Sequence, residues 1–136
     1  MKGRMSVDKL HIAIDVDRMG EVLAIYDKEG MQRKLLKFAT DDGRNNLIAF
    51  EWLSSNEIIY ILESDGVFMY DINTDRHTKL LSHCRYERYD ELSVDPEQKQ
   101  LLLIKRTTSY LSEFHHIIST EIYHYNLLSK ELRKVF

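Results

Sequence analysis

Residues 47–82 constrain this 136-residue chain more than any other stretch. They read as four apolar runs cut by three turns, at Ser55-Asn56, at Asp65-Gly66 and at residues 73–76. Asp-Gly between apolar runs is a strong hairpin signal, because a tight primed turn needs residues that tolerate positive φ. The runs are rich in Ile, Val, Phe, Tyr and Trp, which suit a pleated surface. Along one of them Ile58, Tyr60 and Leu62 point one way while Ile59 and Ile61 point the other. A strand that is apolar on both faces is covered on both faces. The stretch therefore predicts a small antiparallel four-stranded sheet held between two other layers.

The flanks look like worn copies of it. The segment Val22–Asp27 matches residues 67–71 and 121–126, each closing on Tyr followed by Asp or Asn (Tyr26-Asp27, Tyr70-Asp71, Tyr125-Asn126). Eight or nine residues later comes a basic residue with aliphatics, at Lys34-Leu35-Leu36, Lys79-Leu80-Leu81 and Arg133-Lys134-Val135. Ser6-Val7-Asp8 recurs as Ser93-Val94-Asp95, each placed at the end of an innermost strand. Tyr26 and Tyr70 are 44 residues apart and Tyr70 and Tyr125 are 55 apart. The first spacing suits a four-stranded repeat, and the surplus of the second falls in residues 107–117, read here as an irregular insertion. The units are about 4–38, 47–82 and 89–136 of a single domain.

The outer units alternate where the middle one does not. His11, Ala13 and Asp15 alternate with Ile12, Ile14 and Val16, and Ser119, Glu121 and Tyr123 with Thr120, Ile122 and His124. Alternation marks one wet face per outer sheet. The predicted fold is all-β: three four-stranded antiparallel blade-like sheets side by side, forming an open half-propeller. The alternatives are a plain antiparallel meander and short helices at 31–38 or 113–119.

Bulk composition excludes several classes. A formal charge of −3 disfavours a generic nucleic-acid binder. No apolar run is long enough to span a membrane. The first residues have no signal-peptide core, and a single cysteine, Cys84, fits a reducing compartment; a cytoplasmic location is expected. No nucleophile elbow or phosphate-binding Gly-rich loop is present, so no catalytic residue is assigned and no cofactor is expected. His115-His116 with His124 lacks a Cys or carboxylate at ligand spacing, so no metal site is assigned. Cys84, Trp52 and the repeated tyrosines are expected to serve packing.

The Tyr-Asp/Asn strands, the Asp65-Gly66 turn and the Ser-Val-Asp pairs resemble the repeat of β-propeller proteins. In size, architecture and mild acidity the chain resembles half-propeller immunity proteins of bacterial contact-dependent growth inhibition systems. That resemblance implies a non-catalytic protein that binds a cognate nuclease (RNase) toxin in the cytoplasm and occludes its active site. The other expectation is a homodimeric half-propeller scaffold in which two chains complete a ring.

In an up-and-down blade, the loops between strands two and three share one face with the links between blades. Residues 17–20, 39–46, 64–66, 83–89 and 107–117 would meet there. Rings anchor protein partners and carboxylates steer basic ones. The expected partner-binding residues are Asp41, Asp42, Asp65, Tyr86, Glu87, Tyr89, Tyr110, Glu113 and Phe114.

Overall fold

A computed structural model describes residues 3–6, 8–15, 22–38 and 45–136. Among them are twelve strands and no helix, in three antiparallel four-stranded sheets. The first sheet holds β1 (Gly3–Met5), β2 (His11–Asp15), β3 (Val22–Asp27) and β4 (Gln32–Lys37). The second holds β5 (Leu47–Trp52), β6 (Glu57–Leu62), β7 (Gly66–Asp71) and β8 (Arg76–Ser82). The third holds β9 (Glu87–Asp95), β10 (Gln100–Ser112), β11 (His115–Asn126) and β12 (Leu132–Lys134). Each is a simple meander in chain order, the arrangement expected of propeller blades. Residues 31–38 and 113–119 lie in strands and their turns, not helices.

The middle sheet is buried on both faces. Ile58, Tyr60 and Tyr70 join Ala13, Leu23 and Ile25 of the first sheet in one core. Ile59, Ile61 and Val67 join Leu101, Leu103 and Tyr125 of the third in another. The first two sheets are also stitched by hydrogen bonds: Trp52 Nε1 donates to the Arg4 carbonyl at 2.8 Å, and the His11 ring nitrogen Nδ1 lies 3.0 Å from the Ser55 carbonyl.

The repeated Tyr-Asp/Asn has a backbone cause. At the end of each third strand the acid or amide oxygen accepts N–H groups of the following turn. Asp27 takes Glu29 and Met31, Asp71 takes Asn73 and Thr74, and Asn126 takes Leu128 and Ser129. These are Asx turns, which reverse the chain into the fourth strand. The preceding Tyr70 and Tyr125 are buried against the neighbouring blade. The fourth strands are the free edges, and each carries Lys and Arg (Arg33 and Lys37, Arg76 and Lys79, Arg133 and Lys134), which discourages edge-to-edge pairing.

Two expectations are corrected. Residues 107–117 are not irregular: β10 and β11 pair out to Ser112↔His115 and form one long hairpin. The Asp65-Gly66 turn is not a two-residue primed turn, since Leu62 pairs with Gly66 across residues 63–65 and Gly66 alone has positive φ, at 138°. Alternation in the first sheet leaves open which face is wet. Ala13 is fully buried against the middle sheet, while Ile12 and Ile14 are on the uncovered side. Alternation shows that two faces differ; the cover is set by the sheet packed alongside.

Candidate functional site

Among the described residues, Asn45, the 64–66 turn, the 83–89 link and the start of 107–117 are joined by hydrogen bonds, while residues 17–20 and 39–44 of the predicted loop face lie outside the described residues. Asn45 joins the middle sheet to the first link, its Nδ2 donating to Asp65 Oδ2 at 2.7 Å and its Oδ1 accepting from Ser64 N. His83 joins the middle and third sheets: Nδ1 pairs with the Glu63 carbonyl at 3.0 Å and Nε2 accepts from Tyr89 N at 2.9 Å. The link then folds onto the long hairpin, Thr108 N donating to the Tyr86 carbonyl at 2.8 Å.

That last contact builds the distinctive surface. β9 follows β10 only as far as Thr107↔Glu87, so β10 and β11 project beyond their sheet from residue 108 onward. The Tyr86 and Tyr110 rings meet edge-on at 5.0 Å, and the Arg85 guanidinium lies 4.9 Å above Tyr86. Tyr86 is 49 % exposed, Tyr110 60 %, Ile117 51 %, Ile118 53 % and Phe114, at the tip, 85 %. An open groove of about 630 Å³ runs beneath, between Glu63 and Ser64 on one side and Arg106, Thr108 and Ile118 on the other. Tyr86 holds φ at 68°, a conformation unusual for a bulky residue.

The expected site residues divide. Tyr86, Tyr110, Glu113 and Phe114 are exposed around the hairpin. Glu87 lines the groove and pairs with Lys105 at 3.3 Å. Asp65 is engaged by Asn45, with its backbone carbonyl accepting from His83 N. Tyr89, 5 % exposed, is part of the core between the second and third sheets, and offers a partner no ring. Asp41 and Asp42 lie outside the described residues. Cys84 is exposed, not a packing residue. Residues absent from the expected set also shape the face: Arg88 pairs with Glu63 at 3.3 Å and Arg106 with Asp90 at 3.2 Å. The carboxylates here thus bring their own counterions, and the face is mixed in charge and apolar at its crest. Among the described residues no cluster of three or more His, Cys, Asp or Glu could hold a metal ion.

His83 makes the joint acid-sensitive. Burial holds its imidazole below the ordinary histidine range, against the opposing pull of the Glu63 carbonyl. The neutral ring serves both bonds, donating at Nδ1 and accepting at Nε2; a proton on Nε2 breaks the bond from Tyr89 N. Because the folded value is the lower one, this stability is complete above the unfolded value near 6.5 and is lost as pH falls through the folded one. His77, also held low chiefly by burial, acts in the same direction. The melting temperature is expected to fall between neutral pH and about pH 5, and His83→Gln to flatten that fall. An unchanged slope in the variant contradicts the assignment.

These sheets define a β-propeller-type fold, with three blades among the described residues. The tricorn protease has a TM-score of 0.64 and 17 % identity over 97 % of this chain and 12 % of its own. A protein named as a conserved lipoprotein, from Clostridium novyi NT, has 0.69 and 13 % over 90 % of this chain and 84 % of its own. Oligogalacturonate lyase from Vibrio parahaemolyticus has 0.67 and 11 % over 98 % of this chain and 38 % of its own. The protease and the lyase are β-propeller-type structures, and at these identities the likeness is one of fold. The chain spans about an eighth of the protease and under two fifths of the lyase. No family model matches the chain, and no curated protein does.

Proposed function

We propose that the chain is a non-catalytic protein-binding module whose contact surface is the third blade's projecting hairpin with the 83–88 link. The observation that carries this is the crest of Tyr86, Tyr110, Phe114 and Ile118, four large apolar side chains exposed on a hydrogen-bonded support, with Ile117 on the opposite side of the hairpin. Exposed apolar patches with aromatic anchors mark protein contacts. A left-handed tyrosine supports the same reading, since backbone strain gathers where a side chain must be aimed. In its specific form, following the resemblance to half-propeller immunity proteins, the partner is a cytoplasmic nuclease toxin domain and binding covers its active site. Ring burial supplies the affinity. Of the expected acidic residues, Glu113 at the exposed tip is the one beside that crest that would steer a basic partner.

The test is capture from the native host with tagged chain beside Tyr110→Ala, Phe114→Ala and Tyr86→Gly variants. The native chain should retain one stoichiometric protein, and a recovered nuclease domain should lose activity when bound. Tyr110→Ala and Phe114→Ala are surface changes expected to alter stability by under about 0.5 kcal/mol and to weaken binding tenfold or more. Tyr86→Gly relieves the strained φ while removing the ring, so stability should stay within about 1 kcal/mol as binding drops. Equal capture by all four chains refutes the surface; a captured protein with no nuclease activity refutes the toxin.

A further inference from the structure

We propose that two copies of this chain close into a six-bladed ring, the outer face of the third sheet in each packing on the outer face of the first sheet in the other. The repeat makes the two uncovered faces complementary by construction. Cross-strand register places Ile12, Ile14, Ala24 and Tyr26 on the outer side of the first sheet. Their equivalents in the middle sheet are Ile58, Tyr60, Phe68 and Tyr70, which pack on the first sheet. Their equivalents in the third are Leu101, Leu103, Tyr123 and Tyr125, which pack on the middle one. The same positions are apolar three times; on the first sheet Ala24 is already buried, while Ile12, Ile14 and Tyr26 are half-buried with no neighbouring sheet against them among the described residues.

The opposite faces repeat the pattern. Ile59, Ile61, Val67 and Met69 of the middle sheet pack on the third. Their counterparts on the third sheet's outer side are Leu102, Ile104, Ile122 and His124, with Leu102 42 % exposed. The face left open at one end of the stack is the kind covered by the face left open at the other. The repeated Tyr26 has the same meaning: Tyr70 and Tyr125 are buried by the preceding blade, and Tyr26 stands half-buried on the first sheet's outer side.

Such a contact is heterologous, and a heterologous contact either closes into a ring or runs on as a fibre. Three blades taken twice give six, within the range in which propellers close. The chain exposes 8767 Å², where a folded 16.2 kDa monomer exposes about 7,400 Å². That surplus, roughly 1,300 Å² per chain, includes the projecting hairpin as well as the two end faces.

The test is solution mass by light scattering at micromolar concentration. The chain is expected at twice 16.2 kDa. Leu102→Glu spoils only the third sheet's outer face and Ile14→Lys only the first's, so each alone should run as a monomer. Mixed in equal amounts they should recover the dimer, since one of the two contacts is then native and the other pairs Glu with Lys. Leu35→Lys, in the same cross-strand row as Ile14 and 42 % exposed, replaces Ile14→Lys if that variant fails to fold by circular dichroism. A monomeric native chain, a ladder of higher masses, or a dimer that Leu102→Glu abolishes while both lysine variants keep it would each overturn the ring.

Discussion

Gly66→Ala is expected to be among the most damaging single-methyl additions in the chain, on the order of 3–5 kcal/mol. Gly66 opens β7 at φ 138°, and a Cβ built there falls 2.0 Å from the Leu81 carbonyl oxygen, with backbone atoms of Leu81 and Ser82 at 3.0 Å. The obstacle is the neighbouring strand β8, which cannot swing aside as a side-chain tip would. Gly30 is the internal control. Its φ is 82° and nothing lies within 4 Å of its Cβ position, so Gly30→Ala meets only the left-handed penalty of about 1–2 kcal/mol. Urea unfolding of both variants checks the contrast, read as a midpoint shift at unchanged slope. Similar midpoints for the two would show that the β7–β8 approach is looser than described.

The second large effect concerns two adjacent residues. Ile58 and Ile59 are both fully buried, yet they point to opposite sides of β6, one into the core shared with the first sheet and the other into the core shared with the third. Ile58→Ala and Ile59→Ala should therefore each cost about 2–5 kcal/mol, with effects that nearly add because the two cavities lie in different cores. In a sheet with one wet face, neighbours on a strand differ sharply, the outward one costing under about 0.5 kcal/mol. One cheap substitution in this pair would mean that the middle sheet is covered on a single side.

The legible parts of the fold were those set by local chemistry. The doubly apolar middle strands announced a sheet with cover on both sides. The Tyr-Asp/Asn pairs marked the same turn three times, because an Asx turn needs its side-chain oxygen at a fixed offset. What the sequence obscured depends on distant partners. Residues 107–117 hold Thr, Tyr and Ile, all comfortable in strands, but their turn at 113–114 carries Glu and Phe in place of Gly or Asn, and the stretch passed for an insertion. Which side of β2 is covered is decided by the middle sheet, not by β2. Tyr89 was placed in a linking loop, whereas β9 begins two residues earlier and turns its ring inward opposite Lys105. That arginines such as Arg88 dilute the acidity of the loop face is legible in the sequence, but the pairings of Glu63 with Arg88 and Glu87 with Lys105 join distant residues, and no local pattern shows them.

The function rests on where a partner touches. The most direct measurement is backbone hydrogen exchange of the chain with and without its captured protein. Protection gained on binding should concentrate in residues 83–88 and 108–118, where the Tyr86 carbonyl joins Thr108 and the hairpin projects, and should leave the β4 and β8 edges unchanged. Protection that appears on those edges, with the hairpin exchanging as freely as before, would contradict the proposed surface.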